Sequence, residues 1–266
     1  LYRETIRNCF IHLWRVTKTV TTMKTVNVAM IAVSAALYTV VGYLTNAGIV
    51  TPMVGVVRFW PSVFVPAIFA VLFGPWVGGI GAAIGIFFSD MIYPGHGVAF
   101  LSLTIGVPSN FLMFFLIGHI ARADVSWKQA IAGLGASSII ILLTAYLTAM
   151  GLLTADIFLL FTGVLLACYA LVALLWIRLP EWRSFWIASV AGNGVGSAWI
   201  GIGLWVFSQF LTLPLTFAPF ERTAPFYAGI IWFVWTFTTQ IPFLLVIVPP
   251  VVKACKKAFP SLMLEK

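Results

Sequence analysis

The stretch VVRFWPSVFVPAIFAVLFGPWVGGIGAAIGIFFSD, residues 56–90, predicts two antiparallel membrane helices joined by a tight link. Its apolar runs, about 59–73 and 76–93, flank the link FGPW, and its two charged residues, Arg58 and Asp90, stand near the ends. A hydrocarbon core of about 30 Å takes roughly 20 helical residues, so the first run is short for a span. Because the link is short, both charged side chains are expected on the same side of the membrane.

The composition of the whole chain indicates an integral membrane protein. Of its 266 residues 62% are hydrophobic and 8% are charged, whereas soluble domains have about 25% charged residues. The mean hydropathy is +1.07. We predict an all-α, polytopic helical bundle of about eight spans, at approximately 25–45, 59–73, 76–93, 100–120, 128–151, 155–177, 185–208 and 226–252.

The basic residues predict the orientation of the bundle. When the spans are threaded alternately from an inner N-terminus, 13 of the 15 Lys and Arg residues fall on the inner side. The positive-inside rule therefore predicts cytoplasmic N- and C-termini in the plasma membrane, and an odd number of spans would place the basic C-terminal tail outside. Topology and contact with anionic lipid account for the net charge of +8 without a nucleic-acid partner.

Residues 1–22 form a separate segment ahead of a single transmembrane domain, residues 23–266. Apolar residues recur in this segment at helical spacing, with basic residues elsewhere around the helix. This pattern is typical of an amphipathic helix in the membrane interface, and the same apolar stripe could equally pack on a partner subunit.

No motif for catalysis or for a cofactor is present in the sequence. It has no P-loop, GxSxG, HExxH or Cys/His cluster, and its three cysteines are far apart. We therefore expect no enzymatic activity, no metal site and no cofactor. If ATP drives transport, another subunit must hydrolyse it.

The charged and amide side chains at the span ends are candidates for a binding site, since such groups are costly in a bilayer. Arg58 and Asp90 could clamp a ligand, with Arg58 holding a carboxylate or carbonyl group, or they could form a structural ion pair. Asn110 could line a pocket or make a hydrogen bond between helices, and the same holds for Gln240. We add Trp60, whose ring could stack on a flat ligand, and Tyr93 in an outer loop.

Small residues recur four apart in the third and seventh predicted spans. They form the pairs Gly74 with Gly78, Gly81 with Gly85, Gly192 with Gly196, and Ser197 with Gly201. Such pairs let helices approach closely in lipid. They favour tight packing within one chain, and dimerisation through these faces is the alternative.

The first span, VNVAMIAVSAALYTVVGYL at residues 26–44, carries Ala29, Ala32 and Ala36 on one helical face. A long outer loop follows, and then RFWP at 58–61 and LFGP at 72–75 lead into the glycine-rich third span. Over about residues 23–120 this arrangement resembles the substrate-binding S component of energy-coupling factor (ECF) transporters.

The resemblance implies a six-helix protein that binds a vitamin or metal-related substrate from outside with high affinity. It implies that Ala29, Ala32 and Ala36 dock on the coupling helices of a transmembrane T component, which two cytoplasmic ATPases power. The outer loop before Trp60 would then act as a lid. This chain departs from the pattern by about two extra spans and by residues 1–22.

We therefore interpret the chain as a membrane-embedded substrate-binding subunit of an ECF-type importer for a small, vitamin-like organic micronutrient. The alternative is a non-catalytic accessory subunit of a membrane enzyme complex, which the small number of polar residues would suit. An ion-coupled secondary transporter is disfavoured, because acidic groups in the middle of the predicted spans are missing.

Overall fold

The computed structural model describes residues 25–47, 53–92, 98–123, 125–214 and 222–259, and these are almost entirely helical. The helices are α1 Thr25–Ala47, α2 Phe64–Phe73, α3 Pro75–Ile92, α4 Ala99–Ile120, α5 Trp127–Ser137, α6 Ile139–Ala149, α7 Ala155–Arg178, α8 Arg183–Phe210 and α9 Phe226–Ala258. Short 3₁₀ turns precede α2 at Pro61–Val63 and α8 at Pro180–Trp182. The predicted interfacial helix at residues 1–22 lies outside the described residues.

Six helices in these ranges are long and apolar enough to cross a membrane: α1, α3, α4, α7, α8 and α9. The predicted all-α, polytopic fold is therefore confirmed. The other two predicted spans correspond to shorter apolar helices, Pro61–Phe73 and Ile139–Ala149. A turn at Ser138 separates α6 from α5, so the fifth predicted span is two helices in the structure. A total of eight crossings and cytoplasmic termini stay predictions.

The helices pack as a bundle whose neighbours follow from the contacts. Helix α1 packs on α3, α3 on α4, α4 on α8, and α8 on α9. The short helix α2 contacts α1, α3, α4 and α9. Protein rather than lipid therefore surrounds much of α2, which explains how a short helix is accommodated. Helices α5, α6 and α7 attach to this bundle through fewer contacts with α8 and α9.

The glycines of the third and seventh predicted spans lie against helices of the same chain. A Cβ atom on Gly85 would lie 2.9 Å from the backbone oxygen of Ala35 in α1. A Cβ atom on Gly192 would lie 2.7 Å from the backbone oxygen of Met113 in α4. Because a side chain at these positions would collide with backbone, the glycines allow the close crossings α1–α3 and α4–α8.

A small antiparallel hairpin lies between α1 and α2. Its strands are β1 Met53–Val54 and β2 Val57–Arg58, and Met53 pairs with Arg58. Gly55 in the turn has φ 62°, which glycine adopts without steric cost. The Trp232 Nε1 donates a hydrogen bond of 3.1 Å to the Val54 carbonyl, and this contact holds the hairpin against α9.

Candidate functional site

The hairpin and the end of α3 bring two buried charges together. The Arg58 Nη2 lies 2.5 Å from the Asp90 Oδ1, and both residues are buried. Breaking such a buried pair by removing one of its charges is strongly destabilising. The ion pair expected as one of two alternatives is thus present, and its two side chains also line a cavity.

Helix α4 supplies a second partner for Asp90. Residues Ser102–Gly106 form a π-helical segment within α4, and the Ser102 Oγ donates a hydrogen bond of 2.7 Å to the Asp90 Oδ2. A Cβ atom on Gly106 would lie 3.1 Å from the same oxygen. The absence of a side chain at Gly106 therefore lets α4 approach the carboxylate. Such π-helical segments are frequent at functional sites.

A chain of hydrogen bonds fixes the aromatic and amide groups beside the ion pair. The Trp60 Nε1 donates to the Tyr38 hydroxyl at 2.8 Å, and that hydroxyl donates to the Asn110 Oδ1 at 2.7 Å. The Asn110 Nδ2 in turn donates to the Gly106 carbonyl at 2.9 Å. The Arg58 guanidinium carbon lies 4.6 Å from the centre of the Trp60 ring, a cation–π contact. The Trp60 ring therefore already contacts Arg58.

These groups surround a cavity of about 90 Å³. The apolar side chains of its wall are Val56, Val57, Ile86, Leu101, Ile105, Ile200 and Leu204. Drug-sized ligands occupy pockets of roughly 300–1,000 Å³, so the cavity in this conformation is smaller than the pocket that such a ligand fills. The combination of apolar walls with a few convergent polar groups is characteristic of small-molecule sites.

Gln240 of α9 contributes the remaining polar side chain of the cavity wall. It is 8% exposed, and its carboxamide makes no hydrogen bond to any described residue. Most buried side-chain amides have a hydrogen-bond partner. Asn193 of α8 is an example, because its Nδ2 donates to the Phe237 carbonyl at 3.0 Å. Gln240 therefore differs from the amides that connect helices.

A larger groove, of about 840 Å³, lies between α4 and α8. Its lining is almost entirely apolar and includes the exposed side chains of Phe100, Trp199 and Phe210. Such a surface suits lipid chains, since lipid-facing positions of a bundle are apolar. The smaller cavity is the candidate site because charged and polar groups converge there.

The structure brings together four of the five residues that the sequence suggested for binding. Arg58, Trp60, Asp90 and Asn110 all line the cavity, whereas Tyr93 lies outside the described residues. Ser102, which also lines the cavity, and Tyr38, which bonds to Trp60 and Asn110, were not among the candidates. Neither is charged or part of a motif, so no signal in the sequence separates them from other hydroxyl side chains of the spans. In the part of the chain that the structure describes, no metal-ligand cluster is found.

The alanines of the first span lie on another surface. Ala29, Ala32 and Ala36 are exposed on α1, while Ile31, Ser34, Ala35 and Tyr38 on the opposite face are buried in the bundle. The alanine face is therefore available to another protein or to lipid. It does not take part in the cavity.

A family model described as ECF-type riboflavin transporter, S component, matches residues 22–180. The chain belongs to this family. Its members are the membrane-embedded substrate-binding subunits of ECF importers, which work with a T component and ATPase subunits. The resemblance noted in the sequence is confirmed, and so is the class of multi-pass membrane transport protein. No curated protein and no solved structure shows a match to the chain.

The family match covers part of the candidate site. Arg58, Asp90 and Asn110 lie within residues 22–180, whereas Ile200, Leu204 and Gln240 lie beyond them. The cavity of this S component is therefore completed by α8 and α9, two helices outside the matched region.

Proposed function

We propose that this S component binds riboflavin or a similar flavin-like micronutrient in the cavity between Arg58, Asp90 and Asn110. The family match, which includes these three residues, carries the proposal. The apolar walls suit a flat ring system, and the polar groups suit its heteroatoms. The ligand enters from the outer side of the plasma membrane, where the predicted topology places the hairpin and the end of α3.

The size of the cavity adds a requirement to this proposal. Since about 90 Å³ is less than a whole vitamin of this size needs, ligand binding widens the site. The hairpin supplies Val56 and Val57 to the wall and belongs to the loop that the resemblance assigns as a lid. Its displacement would enlarge the cavity without unpacking the membrane helices.

The exposed face of α1 is the proposed contact with the rest of the transporter. Ala29, Ala32 and Ala36 would allow a helix of the T component to approach closely, because they present no bulk. The ATPase subunits of the complex would then supply the energy that this chain has no motif to obtain. The chain itself would bind and carry its ligand without chemically changing it.

Ligand binding to the purified, detergent-solubilised protein tests this proposal. We expect riboflavin to bind, measured by isothermal titration calorimetry, and to remain bound in native mass spectrometry after gentle solubilisation. Asp90→Asn should weaken binding at least tenfold. Glu181→Gln, an identical chemical change at an exposed residue, should leave binding unchanged.

Two results would contradict the proposal. One is a well-folded protein that binds no flavin at millimolar concentration. The other is stable co-purification with redox subunits and no retained ligand, which would favour the accessory-subunit interpretation.

A further inference from the structure

The cavity is balanced in charge. Among its described lining residues there is one cation, Arg58, and one anion, Asp90, and the two are paired at 2.5 Å. An anionic ligand would be repelled by Asp90, and the described lining residues include no second cation to offset this repulsion. A cationic ligand would be repelled by Arg58. Because an uncompensated charge is costly to desolvate, this site favours an uncharged ligand group.

The other polar groups of the wall are engaged with the protein. Asn110 uses its oxygen to accept from Tyr38 and its nitrogen to donate to Gly106. Ser102 donates to Asp90. These side chains are therefore held in place before any ligand arrives, which is how a binding site is preorganised.

Gln240 differs from these groups in its hydrogen bonding. The residue is 8% exposed and lines the cavity, and its carboxamide has no hydrogen bond to any described residue. A buried amide that lacks partners lowers stability, and a ligand that supplies them recovers the loss on binding. A primary amide offers one acceptor and two donors, so its natural complement is an N–H group next to a C=O group.

We propose that Gln240 determines ligand specificity by pairing with an uncharged lactam or imide edge of the ligand. The inference rests on the proposed function and assigns the contact that selects among ligands of similar shape. A site that hydrogen-bonds its ligand rejects analogues without the matching group strongly, since its own polar atoms are then left unpaired. Gln240 lies outside the family match, so this selection would belong to the part of the chain beyond residue 180.

Binding of two probes to the full chain tests the inference. Riboflavin carries an imide edge, and N3-methylriboflavin has the same rings with the imide N–H blocked. We expect the wild-type protein to bind riboflavin at least tenfold more tightly than the methylated analogue. Gln240→Met, which keeps the length of the side chain, should abolish this preference by weakening riboflavin binding alone. Gln129→Leu, at an exposed position on α5, is the control and should preserve the preference.

Thermal melting of the ligand-free protein separates recognition from a structural role. If the Gln240 amide is unpartnered before binding, Gln240→Met should keep or raise the melting temperature, whereas loss of a structural amide would lower it. An unchanged preference for riboflavin in a folded Gln240→Met variant would overturn the inference while leaving the proposed function intact. Failure of the wild-type protein to bind either probe would instead overturn the proposed function.

Discussion

At the residue scale, Arg58 and Asp90 form a buried ion pair. Asp90 accepts from Arg58 and from Ser102, so both of its oxygens are occupied. The guanidinium group also contacts the Trp60 ring. This arrangement links the hairpin to α3 and α4, so the same groups stabilise the fold and form the wall of the cavity.

We predict that Asp90→Asn destabilises the ligand-free protein by about 3–5 kcal/mol, because it removes the carboxylate charge that pairs with the buried Arg58 guanidinium. The double variant Arg58→Gln with Asp90→Asn should be more stable than Asp90→Asn, since it removes both charges of the pair instead of one. Unfolding in detergent, followed by differential scanning calorimetry, measures both. Additive losses in the double variant would indicate that the two charges are not coupled.

At the element scale, helix α1 has two faces with different roles. One face packs on α3 through Ser34, Ala35 and Tyr38, and the other exposes Ala29, Ala32 and Ala36. A change on the exposed face should therefore affect contacts with other proteins without disturbing the cavity.

We predict that Ala32→Leu reduces flavin uptake by cells that express the complete transporter by at least tenfold, because the added bulk keeps the T component at a distance. Riboflavin binding to the purified variant should stay at the wild-type level. Ala170→Leu makes the same change on the exposed side of α7 and should retain uptake. Equal uptake by all three proteins would exclude the alanine face as the docking surface.

The crossing of α1 and α3 depends on the absence of a side chain at Gly85. We predict that Gly85→Ala destabilises the protein by about 1–3 kcal/mol, since the new methyl group meets the Ala35 backbone oxygen at 2.9 Å. Gly163→Ala on α7 is the matched control, because nothing lies within 4 Å of its Cβ position. That variant should gain up to about 1 kcal/mol from helix propensity. Thermal melting compares the two variants. Equal melting temperatures would contradict the close contact of α1 and α3 at Gly85.

At the scale of the whole molecule, the helix order and the basic residues together predict the orientation. Arg122, Arg178, Arg183 and Lys253 lie at the ends of helices that the alternating threading places on the cytoplasmic side. Ser184, at the start of α8, donates a hydrogen bond to the carbonyl of Ala123, which follows α4. The end of α4 and the start of α8 therefore lie at the same end of the bundle.

We predict that Cys255, near the end of α9, reacts with a membrane-impermeant maleimide only after cells are permeabilised. The experiment uses Cys9→Ser with Cys168→Ala, so that Cys255 is the remaining thiol. Gln209→Cys, at the opposite end of α8, is the control and should react in intact cells. Labelling of Cys255 in intact cells would place the C-terminus outside and would exclude the predicted topology.

Much of the fold and part of the site were predictable from the sequence. Apolar runs predict helices because every backbone polar group in a membrane must be satisfied internally. Arg58 and Asp90 were recognisable because a charge is rare and costly there. No pattern in the sequence predicted the hairpin at Met53–Arg58 or the π-helical segment at Ser102–Gly106. Both make contacts with residues distant in the chain, the hairpin with α9 and the π-helical segment with Asp90.

The class of the protein follows from the amino-acid sequence alone. Its hydrophobic runs require a helical membrane bundle, and its small-residue first helix with the RFWP and LFGP motifs indicates an S component. Which polar groups share one cavity is seen only in the folded protein. Arg58, Asn110 and Gln240 are far apart along the chain, and they meet because α4 and α9 pack around the hairpin. Burial and hydrogen bonding depend on neighbours in space, and the spacing of residues along a helix does not specify those neighbours.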